Sequence, residues 1–219
     1  MAAALAAYAA GTGGEHAVLA ALASARLLVP VIAVQADSLD AAGGPADEPA
    51  WRGEKTSEMA MPSIVGTDGR RALPAFTCIG AVRSWQPAAR PVPVPATSVW
   101  QAAAGQAWAV IIDIAGPVPV AIDGARLAAL ASGGAVPQMH EDPDVWQQVA
   151  QAAAGIAPGI RVRLSQPRGG LDFTLELAPP DGVVTPVPGE VADRIADAAV
   201  ARLGGRVRAG VAVLIRPAG

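Results

Sequence analysis

Nucleophilic or metal chemistry in this chain would have to come from three side chains: His16, His140 and Cys78 are its only histidines and cysteine. One cysteine closes no intramolecular disulfide and holds no cysteine-based metal cluster. His140-Glu141-Asp142 sets a ring nitrogen beside two carboxylates, but no further ligand stands at metal-site spacing. A Ser-His-Asp triad would lack its G-x-S-x-G turn. Gly11-Thr12-Gly13-Gly14 has the composition of a phosphate loop without the preceding strand or the lysine. Cys78 follows Thr77; if Thr77 caps a helix, the thiol stands in its first turn, where cysteines gain reactivity. The plainer reading is a small, partly buried packing residue. The residues therefore predict no catalytic group, no cofactor and no metal.

Two other groupings could bind. Lys55, the only lysine among 16 basic residues, lies in Glu54-Lys55-Thr56-Ser57-Glu58, just after Trp51-Arg52. Alternating charge with a lysine is ordinary at an exposed strand edge. Tryptophan beside basic groups is also what anchors protein interfaces. Trp51, Arg52, Glu54, Lys55, Ser57 and Glu58 thus form a candidate interaction surface. A catalytic lysine would need burial, which these charged neighbours oppose. Asp113 ends an apolar run before Gly116-Pro117, so it either lines a pocket or bonds the following turn. With Arg161 and Arg163 it makes a candidate ligand pocket between two domains.

Net charge is −3, spread evenly: residues 1–139 carry 8 basic and 10 acidic side chains, residues 140–219 carry 8 and 9. No basic stripe favours nucleic acid or an anionic membrane surface. The Ala-rich N-terminus lacks the positive start of a secretory signal. The longest uncharged stretch, Pro91–Ile112, holds three prolines and reads as turn, helix and strand. The expected protein is cytoplasmic, with a protein partner and neither nucleic acid nor membrane.

These residues need elements to position them. Glu15–Ala25 reads as a helix and Leu27–Val34 as a buried strand, Pro30 marking a bulge or an edge. Gln35–Gly53 has no periodicity. Asp68-Gly69 predicts a hairpin between Met59–Val65 and Arg71–Phe76, with Thr67 facing Arg70. Helices are expected over Cys78–Trp85, Ser98–Gly105 and Gly124–Ala131, and strands over Trp108–Ile114 and Val118–Ile122. A boundary falls in Ser132–Glu141. Asp142-Pro143-Asp144 then starts a helix with a cap, a first-position proline and an acidic first turn. Alternation in Ile160–Ser165 and Leu171–Leu177 predicts a second hairpin with Arg161 opposite Glu176. Glu190–Leu203 is an amphipathic helix, with Val191, Ile195 and Ala199 inward. Val211–Ile215 is an unbroken apolar run, expected as a central strand. The pattern is α+β, in two small domains (1–136 and 142–219). Each is a mixed or mostly antiparallel sheet with helices on one face.

Several stretches resemble the SseB, or enhanced serine sensitivity, family in its actinobacterial form. They are Glu15–Val34, Glu54–Thr77 with its DGR turn and PAFT ending, Arg90–Pro95 and the DIAGP of Asp113–Pro117. Residues 5–131 resemble its N-terminal domain and residues 142–219 its smaller C-terminal domain. Cys78 stands where the family commonly has serine. The resemblance implies no defined activity or cofactor. It points to a non-enzymatic binding or regulatory protein. The alternative is a small-ligand module or enzyme linked to amino-acid (serine) metabolism.

Overall fold

The computed structural model describes residues 1–35, 57–67 and 69–217. Helix α1 (Ala2–Ala9) is almost all alanine, the best helix former. Alanine gives it little to bury, and Tyr8 supplies the anchor. Helix α2 (Glu15–Ala23) leads into β1 (Arg26–Gln35). One edge of β1 pairs antiparallel with β5 (Arg90–Pro95); the other, from Ile32 on, pairs with β2 (Ser57–Ala60). The proline-rich segment expected as a turn is therefore strand β5.

Hydrogen-bond direction explains how the prolines fit. Leu28 exchanges backbone bonds with Phe76 on the edge of β1 away from β5. By antiparallel alternation Leu27, Val29 and Val31 then bond β5. Pro91, Pro93 and Pro95 fall at the intervening positions, opposite Pro30, Leu28 and Arg26. Their missing donors face outward, where no ladder needs them. Pro30 lies between the Leu28–Phe76 bridge and the first β2 pair at Ile32, where the strand changes partners.

A second sheet has the order β3 (Ile64–Val65), β4 (Arg71–Ala75), β6 (Ala109–Ile112), β7 (Val120–Ile122). Its β4–β6 pair is parallel and the others antiparallel, so the sheet is mixed. The hairpin register differs by one from expectation: Val65 opposes Arg71, and the Gly66 N–H bonds the Arg70 carbonyl. Gly69, at φ +78°, adopts the left-handed conformation that a three-residue loop requires there. Helices α3 (Ile79–Trp85), α4 (Ala96–Gly105) and α5 (Gly124–Ser132) complete this half. Its main core runs from Tyr8 to Val136 around Leu19, Leu22, Ile112 and the fully buried Trp100.

A second core spans Met139 to Leu203. Helix α6 (Pro143–Ile156) starts as its sequence dictates, the Asp142 carboxylate accepting the Asp144 N–H at 2.9 Å. The third sheet has the order β10 (Val211–Ile215), β9 (Phe173–Ala178), β8 (Arg161–Ser165). The apolar run expected at its centre is thus an edge, parallel to β9 and only half-buried. In the β8–β9 pair Arg163, not Arg161, opposes Glu176. This shift of two residues keeps each side chain on its face. Helix α7 (Gly189–Leu203) buries Ala192 rather than Val191 beside Ile195 and Ala199. The architecture is α+β. Among the described residues no helix is long and apolar enough to cross a membrane.

Helices α5 and α6 meet at one tight point. The Ala125 N–H donates to the Asp144 Oδ2 at 2.8 Å, so a carboxylate from the second core caps a helix of the first. Gly124 has φ +53°, and a Cβ there would lie 2.0 Å from that oxygen. Gly124→Ala is expected to lower unfolding free energy by about 2 kcal/mol or more, through backbone strain and loss of a charged hydrogen bond. Urea denaturation checks this. In an Asp144→Ala background the same change is expected to cost less, because the clashing atom is gone.

Candidate functional site

Between the two cores lies an open cleft of about 800 Å³. Its first wall carries Arg70, Arg71, Trp108 and the start of α5; its second carries Asp144, Gln147 and Gln148 of α6 with Arg202 and Arg206. Five arginines and three carboxylates line it.

The floor is a chain of alternating charges. Glu15, 5% exposed, accepts from Arg126 on one carboxylate oxygen. Its other oxygen accepts from Arg206 Nε and Nη2 at 3.1 and 2.9 Å. Arg206 continues to Asp142, its Nη2 2.7 Å from Oδ2. On the other side Arg126 Nη2 donates to Asp123 Oδ1 at 2.6 Å. Arg70 closes the chain on Asp123 Oδ2 at 3.0 Å. The order is Arg70, Asp123, Arg126, Glu15, Arg206, Asp142. Glu15, Asp123 and Arg126 belong to the first half; Asp142 and Arg206 belong to the second. Tyr8 adds a neutral link, its hydroxyl donating to the Gly205 carbonyl at 2.6 Å.

For Asp123 and Arg206 burial acts against the ionised form, and the neighbours reverse it. Burial would push the Asp123 carboxyl up, but Arg126 and then Arg70 hold it below its ordinary value. Burial would push the Arg206 guanidinium down; Glu15 and Asp142 hold it above. Away from the cleft, hydrogen bonds from Arg216 and then Ser165 hold the Glu176 carboxyl low.

Two arginines of the cleft make other contacts. The Arg71 guanidinium stands 5.6 Å over the Trp108 ring, and Arg202 Nη1 donates to the Gln151 side chain at 3.4 Å. Neither has a carboxylate partner among the described residues.

A family model, SseB protein N-terminal domain, matches residues 1–129. The chain belongs to the SseB family. No curated protein and no solved structure matches it. The match takes in Glu15, Arg70, Arg71, Trp108, Asp123 and Arg126, whereas Asp142, Asp144, Arg202 and Arg206 of this SseB-family chain lie beyond it.

The residues singled out from sequence lie elsewhere. Trp51, Arg52, Glu54 and Lys55 are outside the described residues. Ser57 and Glu58 lie in β2, opposite Gln35 and Val34. Asp113, at φ +48°, accepts the Thr77 N–H at 2.9 Å and the Thr77 hydroxyl at 2.6 Å. It ties the end of β6 to the start of α3. Arg161 donates to the Pro179 carbonyl at 3.0 Å and pairs with Asp181 at 2.8 Å. Asp113 lines a shallow depression of about 380 Å³ with Cys78, and neither Arg161 nor Arg163 lines that depression or the cleft. The three do not converge, because Asp113 is already engaged and the arginines sit on β8. Thr77, bound to Asp113, does not cap α3; Cys78 does, its exposed Sγ accepting the Ala81 N–H at 3.4 Å. His16 is exposed, and His140 Nε2 is 3.8 Å from the Glu141 carboxylate. Among the described residues no three His, Cys, Asp or Glu side chains are grouped to hold a metal.

Removing a central charge tests the network. Arg126→Met leaves Glu15 and Asp123 each short of a buried partner and is expected to cost about 3–5 kcal/mol in chemical denaturation. The pH dependence has a definite sign. A carboxyl held low in the folded state stabilises fully above its ordinary value and loses that contribution as pH falls through its folded value. For Asp123 and Glu176 that window opens below about pH 4. Denaturation midpoints are expected to drop on acidification through this range, less steeply in Asp123→Asn and Glu176→Gln.

Proposed function

We propose that this SseB-family chain is a non-catalytic binding protein whose cleft takes a carboxylate-bearing segment of a partner protein. The supporting observation is the cleft's charge arrangement. Three of its five arginines are engaged by its own carboxylates, while Arg71 and Arg202 remain without one among the described residues. Arginine stacked on tryptophan is a common interface anchor, and its planar fork suits a carboxylate. Small-molecule sites are mostly apolar and enclose their ligand. This cleft is open and heavily charged, which favours a segment of chain over an enclosed metabolite.

A second reading is a free carboxylate ligand, such as an amino acid, in keeping with a role near serine metabolism. The cleft volume favours it, since about 800 Å³ lies within the range of small-molecule sites. Either way we place the protein in the cytoplasm, with domains at 1–136 and 142–219. We read the second domain as the family's C-terminal domain and the cleft as the inter-domain site. The Trp51–Glu58 segment remains a proposed second contact for the partner.

Calorimetric titration separates these readings. A short polyglutamate peptide is expected to bind with an affinity that weakens as salt rises. Arg71→Gln with Arg202→Gln is expected to lower that affinity by about tenfold or more. Binding of serine or small dicarboxylates, with none of the peptide, establishes the second reading. Absence of both at millimolar concentration removes the cleft as a binding site.

A further inference from the structure

We propose that the outer edge of β10 is a strand-addition site for an extended segment of a partner protein, with an apolar run flanked by acidic residues. The geometry comes from the ladder. The Arg216 N–H donates to the Leu177 carbonyl, and the Gly210 carbonyl accepts from Asp172. Even-numbered residues of β10 therefore face β9, and the N–H and C=O groups of Val211, Val213 and Ile215 face outward. β10 ends the strand order of its sheet, and among the described residues no hydrogen bond reaches those groups from the outer side.

Two outer edges of the fold, β5 and β10, are treated oppositely. On β5 every outward position is proline, so that edge offers no donor to an incoming strand. On β10 the run VAVLI carries neither proline nor charge. Its N-terminal end is fixed: the Asp172 carboxylate accepts the N–H groups of Arg208, Ala209 and Gly210 at 2.8, 2.8 and 3.1 Å. A pre-ordered edge lowers the cost of adding a strand.

Charge selects the occupant. Residues 198–219 hold Arg202, Arg206, Arg208 and Arg216 and no acidic residue. Arg208, stacked 5.1 Å over Tyr8, flanks one end of β10; Arg216, which donates to Glu176 from Nε and Nη2 and is still half-exposed, flanks the other. A second copy paired antiparallel about Val213 would set Arg216 opposite Gly210, two residues from the other copy's Arg208. That places like charges together at both ends. An extended segment with Asp or Glu at both ends meets attraction instead.

The test uses the full chain and a synthetic peptide of alternating valine and threonine with two acidic residues at each end. Amide hydrogen exchange is read residue by residue. Val211, Val213 and Ile215 are expected to slow by about tenfold or more at saturating peptide, while the already bonded Ala212 and Leu214 change little. Val213→Pro is expected to abolish this effect with the melting transition retained, because the lost N–H serves no internal bond. The effect is expected to survive Arg71→Gln with Arg202→Gln, which separates it from the cleft. Three results overturn the proposal: unchanged exchange at millimolar peptide, equal protection by a peptide N-methylated on alternate residues, or a concentration-dependent dimer that protects the same amides without peptide. The N-methylated peptide decides the matter even if the proline variant unfolds.

Discussion

Glu15 sits at the point on which the arrangement of the two cores depends. One of its oxygens belongs to Arg126 of the first half and the other to Arg206 of the second. A lone carboxylate at this depth would carry a desolvation cost of several kcal/mol. Two guanidiniums offset that cost, but each needs a second anion of its own, which Asp123 and Asp142 provide. The chain of alternating charge runs from the buried Asp142 outward to Arg70, whose side chain is 70% exposed. An apolar contact between two cores tolerates sliding. This one does not, since a small displacement leaves a buried charge without its partner.

The same constraint shapes the cleft above it. Arg126 and Arg206 of the floor are held by carboxylates and, being largely buried, present little charge outward. Arg71 is held by a ring rather than an anion, and Arg202 by an amide. They keep their charge available on opposite walls. Gly124 belongs to the same design, because only a residue without a side chain lets Asp144 reach the first amides of α5. Asp123 holds the usual capping position of that helix, yet both its oxygens go to arginines. The cap has been handed to a residue from the other core, which adds another bond across the junction.

Local physics was legible in the sequence where it was strong. Asp142-Pro143-Asp144 announces α6 because cap, proline and acidic turn agree, and α7 announces itself by its apolar spacing. The SseB resemblance of residues 5–131 also rests on local stretches, and the family match covers nearly the same span. The first hairpin is missed by one residue through its own three-residue loop, but the larger misses depend on partners far away in the chain. RPVPVP reads as a turn unless β1 is known to bond only its non-proline positions. The second hairpin slips by two residues because Asp172 is drawn away to the amides before β10. The hydrophobicity of VAVLI signals burial on one face but not strand order. The charge network was hidden most thoroughly, since Glu15 and Arg206 are 191 residues apart. Asp123 and Arg126, three apart at a helix start, were its only part with a short-range signal.

The two ends of the molecule's sheets also argue that edge character is set by sequence and not by position alone. β5 and β10 are both terminal strands, both valine-rich, and both only partly covered. In β5 each residue whose backbone would face solvent is proline, so the strand can complete its inward ladder and nothing more. β10 has the same number of outward positions and fills them with valine, valine and isoleucine. β-Branched residues hold the extended conformation that an incoming strand needs and leave the N–H in place. The proline strand can only close its sheet, whereas β10 keeps the hydrogen-bonding groups by which a sheet is extended.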